Sequence, residues 1–279
     1  MKKIFNQILP KAYGLYYNTI AIFSKRKAAE MAFKLFCTPR KGQIMPHQKQ
    51  FLDAAKSEII EVDGVPFQVY NWQGKKDTVL LLHGWESNSF RWKNLISFLT
   101  KEDYNIIAID APAHGYSGSK TFTAVLYSDG IKPVVEKYKP KHILAHSIGG
   151  MSAIYYNYNT PNNGVENIVT LGSPSEFLPF INSYRDILGL NKFVMKAIGD
   201  YFFGLFGFQM HEFSTVKFVN DFKSKGLLIH DVYDKVTPVS GSEKVHENWK
   251  GSKLIKTKGF GHSLHQDEVS EKILAFIKS

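Results

Sequence analysis

Cysteine is nearly missing from this chain: Cys37 is the single one among 279 residues. No intrachain disulfide can form, which fits a reducing, cytoplasmic compartment. Cys37 itself lies in Leu35-Phe36-Cys37 on a predicted helix face and reads as a packed apolar side chain rather than a reactive thiol. Long apolar runs are also lacking, since nothing approaches the roughly 18–20 residues that a membrane span needs. Met1-Lys2-Lys3 has the charge of a signal n-region, but Asn6, Gln7, Pro10, Lys11 and Asn18 interrupt the apolar stretch behind it. With no small-residue cleavage site either, neither a leader nor a span is expected. There is no glycine-rich phosphate loop and no dinucleotide fingerprint, so no cofactor is expected. Internal repeats and low-complexity tracts are absent as well.

Acidic residues are scarce at one end only. Residues 1–41 carry nine Lys and Arg against the single acid Glu30, a net of +8, which leaves +2 for the remainder of a chain whose formal charge is +10. The basicity therefore belongs to an N-terminal extension, taken as residues 1–45, and not to a whole-surface field of the kind nucleic acid requires. Within that extension Ile4, Phe5, Ile8 and Leu9, then Tyr13, Tyr16 and Ile20, keep an approximately helical spacing. Two uses suit a basic amphipathic helix, and both stay open: packing on the rest of the chain, or peripheral contact with an anionic membrane surface as well.

Apolar residues make up 44% and charged residues 22%, as in an ordinary globular protein. After Pro46 the pattern alternates. Strands are predicted at 57–62, 66–72, 78–83, 104–110, 142–146, 167–171, 227–231 and 253–257. Helices are predicted at 92–99, 123–138, 148–158, 241–249 and 267–278. Strands recurring with intervening helices imply a mostly parallel eight-stranded sheet with helices on both faces, and functional loops at the strands' carboxyl ends. Between the strands at 167–171 and 227–231 more than 50 residues intervene, too many for a simple connection. That stretch is dense in aromatics, from Phe177 and Phe180 through Phe202, Phe206 and Phe208 to Phe218 and Phe222. It reads as a helical cap at about 175–225 on a domain spanning 46–279. Most of the rings form a satellite core, and some are expected to wall a pocket for an acyl or aromatic group.

The strongest chemical signal is His142-Ile143-Leu144-Ala145-His146-Ser147-Ile148-Gly149-Gly150. A strand runs straight into a helix with Ser147 at the corner, and small residues stand two positions to either side, Ala145 replacing the first glycine of G-x-S-x-G. A serine hydroxyl needs an adjacent base, and partners are expected in the order acid then histidine. Asp234, in the loop after the strand at 227–231, is preferred as the acid over Asp231, which reads as a loop brace. His262, on a glycine-flanked loop after the last strand, is preferred as the base over His265. No H-E-x-x-H accompanies those two histidines, so they are not read as a metal pair. The N–H groups of Ile148 and Trp85 are expected to form an oxyanion hole, with Gly84 letting the loop turn. His83 and His114 are read as structural.

Taken together, the segments His83-Gly84-Trp85, Asp110–Gly118, Ala145–Gly150, His230–Pro238 and Gly259–His262 resemble the α/β-hydrolase superfamily, in its serine hydrolase branch of esterases, acylglycerol lipases and serine aminopeptidase-like proteins. The resemblance spans most of residues 55–279 and implies the α/β-hydrolase fold with a helical cap insertion. It also implies acyl-enzyme chemistry on Ser147 with a small-molecule acyl substrate. An ester or thioester hydrolase, an acyltransferase or peptidase using the same three residues, and a non-catalytic binding protein of this fold are the competing readings. The fold alone does not choose among them.

Overall fold

Val79, Leu80, Leu81 and Leu82 are all fully shielded from solvent. Because side chains alternate along a strand, this run must be covered on both faces. The computed structural model, which describes the backbone from Lys2 to Ser279 and side chains from Ile8 onward, shows how. Helices α1 (Lys2–Phe23), α2 (Lys25–Phe36) and α3 (Pro46–Asp53) precede the antiparallel pair β1 (Lys56–Val62) and β2 (Val65–Trp72). Next come β3 (Lys76–Leu82), α4 (Lys93–Lys101), β4 (Tyr104–Ile109), α5 (Ala124–Tyr138), β5 (His142–His146), α6 (Ile148–Asn159) and β6 (Asn167–Leu171). Helices α7 (Leu178–Leu188), α8 (Lys192–Phe206) and the short α9 (Thr215–Phe218) come after it. The chain ends with β7 (Lys225–Asp231), α10 (Val239–Asn248), β8 (Ser252–Thr257) and α11 (Asp267–Ile277).

The eight strands form one sheet in the order β1-β2-β4-β3-β5-β6-β7-β8. Only β2 runs against its neighbours; β4, β3, β5, β6, β7 and β8 are parallel. Val79 and Leu81 join Leu95 and Leu99 of α4 and Ile273 and Ile277 of α11 in one apolar layer. The alternate residues Leu80 and Leu82 point the other way, to the face served by α5 and α6. The predicted strands and helices are all present, and α3, which was not predicted, is added.

The chain divides into two compact units, residues 39–175 with 215–279 and residues 1–38 with 176–214. The first contains the whole sheet. The second is helical, and its makeup differs from the expected split into an extension at 1–45 and a cap at about 175–225. Buried faces explain the difference. Ala28, Ala29, Ala32 and Phe33 of α2 share a core with Val194, Ala197, Ile198 and Phe202 of α8, so the extension and the insertion bury one another. Phe33 meets Phe202 edge to face at 6.0 Å between ring centres, and Phe36 meets Tyr184 at 5.2 Å. Such pairs add about 0.5–1.5 kcal/mol each beyond area burial. Cys37 is buried in the same core, and burial pushes its thiol up to about 12, the condition of an inert cysteine. Two rings assigned to the cap by sequence belong instead to the sheet unit: Phe218 stacks on Tyr158 at 4.7 Å and Phe222 meets Trp249 at 5.4 Å.

Candidate active site

Parallel strands end at one edge of the sheet, so the loops after β3, β5, β6, β7 and β8 gather there. Ser147 comes directly after β5, with φ 52 and ψ −128, a conformation that non-glycine residues rarely adopt. The Ser147 N–H donates to the Leu171 carbonyl at 2.9 Å, anchoring the corner to β6. Gly149 explains the tightness of the turn: a Cβ there would lie 2.5 Å from the His83 carbonyl oxygen, so only glycine lets α6 approach β3 this closely.

His262 lies on the loop between β8 and α11. Its Nε2 is 3.0 Å from Ser147 Oγ and its Nδ1 is 2.7 Å from Asp234 Oδ2. The three residues picked from sequence, 115 positions apart at the extremes, are thus in one hydrogen-bonded line. Asp234 Oδ1 accepts the N–H groups of Val236 at 2.8 Å and Thr237 at 3.0 Å. Burial pushes the Asp234 carboxyl up, but the bond from His262 and those two N–H groups outweigh it and hold it below the ordinary carboxylate range. The carboxylate is therefore charged, and it faces the imidazole that would need a counter-charge.

The two rivals lie elsewhere. Asp231, fully buried, accepts from the N–H of Tyr233 at 2.9 Å, the Thr257 hydroxyl at 2.9 Å and the N–H of Phe260 at 2.8 Å, which ties the acid loop to the base loop. His265 is held by its carbonyl, which accepts from Asn94 Nδ2 at 3.2 Å, while the ring that reaches Ser147 Oγ is that of His262.

Gly84 corrects one expectation. Its role is close approach and not the turn, because the left-handed residue of that loop is Glu86, at φ 52. A Cβ on Gly84 would lie 2.9 Å from Ser147 Cβ, so the loop that carries the Trp85 N–H borders the nucleophile. The Ile148 N–H opens α6, where the helix dipole favours negative charge. His83 and His114 are structural. The Nε2 atoms accept from the N–H groups of Ala111 at 2.8 Å and Glu86 at 3.0 Å, and the Nδ1–H groups donate to the Gly84 and Pro112 carbonyls.

A protein-family profile described as alpha/beta hydrolase fold matches residues 77–195. A serine hydrolase-like protein of Danio rerio is 35% identical over 107 residues, 36% of this chain and 32% of its own length. The uncharacterized protein YqkD of Bacillus subtilis is 25% identical over 191 residues, 64% of this chain and 62% of its own length. The matches thus span less than two thirds of either relative. Among solved structures, an esterase from Exiguobacterium antarcticum superposes with a TM-score of 0.63 at 19% identity, over 80% of this chain and 100% of that one. Alpha/beta hydrolase domain-containing protein 10 from mouse gives 0.65 at 13% identity, over 80% and 97%. The chain is an α/β-hydrolase-fold protein.

Within this α/β-hydrolase fold, three polar residues that sequence reasoning left without a role stand against the line of three. The Thr237 hydroxyl is 2.9 Å from Asp234 Oδ2 and 3.0 Å from the Gly172 carbonyl. His230 donates from Nε2 to the Thr237 carbonyl at 2.9 Å and accepts from the Ser242 hydroxyl at 2.7 Å, which holds the acid loop in shape. Arg91 donates from Nη2 to the carbonyl of Ser263, next to the base, at 2.7 Å. The first two were visible as part of the His230–Pro238 segment. Arg91 had no signal, because its partner is a backbone oxygen 172 positions away.

Proposed function

We propose that the protein is a serine hydrolase that cleaves a carboxylic ester or thioester with an apolar acyl part through an acyl-enzyme on Ser147. The observation that carries this reading is the pair of contacts made by one imidazole, 3.0 Å to Ser147 Oγ on one side and 2.7 Å to Asp234 Oδ2 on the other. The Ser147 hydroxyl donates to His262 Nε2. As Oγ attacks the acyl carbon, its proton passes to Nε2, while Asp234 holds the Nδ1–H tautomer and stabilises the imidazolium. The carbonyl oxygen gains negative charge and is met by the N–H groups of Ile148 and Trp85. The bond to the leaving alcohol or thiol breaks, and Nε2 returns the proton to it. Water then attacks the acyl carbon with His262 as base, releasing the acid and restoring Ser147. Trp85 and Val236, exposed on the loops that bear the site, supply apolar surface for the acyl part.

The test is a panel of p-nitrophenyl esters and acyl thioesters of graded length, with fluorophosphonate labelling. Wild type should label at Ser147 and turn over esters, and Ser147→Ala should lose labelling and about 10⁴–10⁶ of turnover. Near-normal turnover in that variant, or an unlabelled wild type, would remove the proposal. New ester formed from an added alcohol would instead identify an acyltransferase.

A further inference from the structure

Helix α1 turns an apolar face to solvent. Its buried seam is Gly14, Tyr17 and Ala21. Opposite that seam, residues seven apart fall almost in line on a helix of 3.6 residues per turn. Ile8, Leu15 and Ile22 make one such row, the last two 70% and 78% exposed. Leu9, Tyr16 and Phe23 make a second row beside it, with Phe23 86% exposed. Residues 12–24 contain no Asp, Glu, Lys or Arg, so the face is uncharged from Ala12 to Ser24, and exposed Lys11, whose Nζ donates to the Asp186 carbonyl at 2.7 Å, is the cation beside its first turn. A water-facing helix surface normally carries charge, and an apolar patch this continuous marks an interaction surface.

Charge identifies the occupant. Lys25, Arg26 and Lys27 come after Phe23 and Ser24 at the start of α2, and all three are exposed. In the same helical unit exposed Phe193 has Lys25 Nζ 5.8 Å and Lys192 Nζ 5.4 Å from its ring centre. The apolar rows thus end in a cluster of cations around aromatic rings. A second copy of the chain packed through the same rows would bring these cations no carboxylate, since residues 1–29 contain neither Asp nor Glu. An anionic bilayer surface satisfies both halves, taking the apolar rows below the headgroups and the cations among them. No helix among the described residues is long and apolar enough to cross a membrane, so the contact is peripheral.

We propose that the outward face of α1, with the Lys25-Arg26-Lys27 cluster, docks the protein on anionic lipid. This stands apart from the chemistry at Ser147. The full-length protein is to be co-sedimented with vesicles of phosphatidylcholine alone and with about one-third phosphatidylglycerol, at low and high salt. Binding should need the anionic lipid and fall as salt rises. Replacing Lys25, Arg26 and Lys27 by Gln should weaken it on the order of 10²-fold, about fivefold per cation. Ile22→Ser with Phe23→Ser should weaken it at least about tenfold. Both variants count only if they keep the wild-type melting temperature, and the lipid and salt series on wild type decides the matter without them. Failure to pellet with anionic vesicles, equal pelleting with neutral ones, or a soluble dimer abolished by the Ile22 and Phe23 changes would each overturn the proposal.

Discussion

His146 Nε2–H donates to the backbone carbonyl of His262 at 2.8 Å, so the residue before the nucleophile holds the main chain of the base. The two rings lie 4.9 Å apart, and burial pushes His146 well below the ordinary histidine range, which keeps it neutral. The corner that carries Ser147 and the loop that carries His262 are therefore fastened to each other independently of the bond between their functional atoms.

Loss of that fastening should appear in turnover. His146→Ala is expected to lower kcat by about 10–100-fold, the range for a small misplacement of a reacting group. His146→Gln, which can still donate, should recover part of it. Steady-state kinetics with active-site titration checks this, and an unchanged kcat in His146→Ala would show that the bond is idle.

Asp234 and Asp231 should fail in different ways. Asp234→Asn presents an amide to His262 Nδ1 and favours the wrong tautomer, so kcat should fall about 10³–10⁴-fold with the fold intact. Asp231→Asn leaves N–H and O–H donors facing an amide that cannot accept them all. Its expected cost is about 2–3 kcal/mol of stability, with far less effect on turnover per labelled molecule. Urea unfolding and fluorophosphonate titration of both variants separate the two outcomes.

Gly84→Ala places a methyl group 2.9 Å from both Ser147 Cβ and His146 Nδ1. The loop must retreat, carrying the Trp85 N–H with it. Turnover should fall about 10²-fold, as for loss of one oxyanion donor, with about 1–3 kcal/mol of stability lost to the overpacking. Full activity in this variant would take the Trp85 N–H out of the oxyanion hole.

Stability should decline with acid. His83, His114, His142, His146, His230 and His265 are all held below the ordinary histidine range, chiefly by burial. They resist protonation in the folded chain, whereas the unfolded chain takes up a proton at each near pH 6.5. Below that pH the unfolded state binds more protons, so stability present above about 6.5 is lost as the pH falls. Each such group contributes at most about 1.4 kcal/mol per pH unit to the slope, and His230→Gln should lower it by no more than that. Urea unfolding between about pH 7.5 and 5 measures the slope. A flat profile would show that these histidines take up protons in the fold.

The sheet was legible because its central parallel strands are short apolar runs bounded by turns, as at 142–146 and 167–171, where prediction and structure coincide. The three residues at its edge were legible because each lies just past such a run. Arg91 was not, since a guanidinium that reaches a backbone oxygen leaves no mark in spacing, and Thr237 was visible in its segment but without its role. The helical unit was legible only in halves. The extension at 1–45 read as a basic amphipathic helix and the stretch at about 175–225 as an aromatic-rich helical cap, but an apolar face does not name its partner.

Local sequence determined whatever depends on neighbours along the chain: strand and helix periodicity, the glycines and alanine around Ser147, and the charge carried by residues 1–41. Tertiary structure decided what depends on distance through space. It brought Asp234 within 2.7 Å of His262 and made Gly84 a point of contact. It also merged the N-terminal helices with an insertion more than 130 residues away. The reason is that hydrogen bonds and buried contacts act over a few ångströms, and only the folded backbone determines which distant residues come within that range.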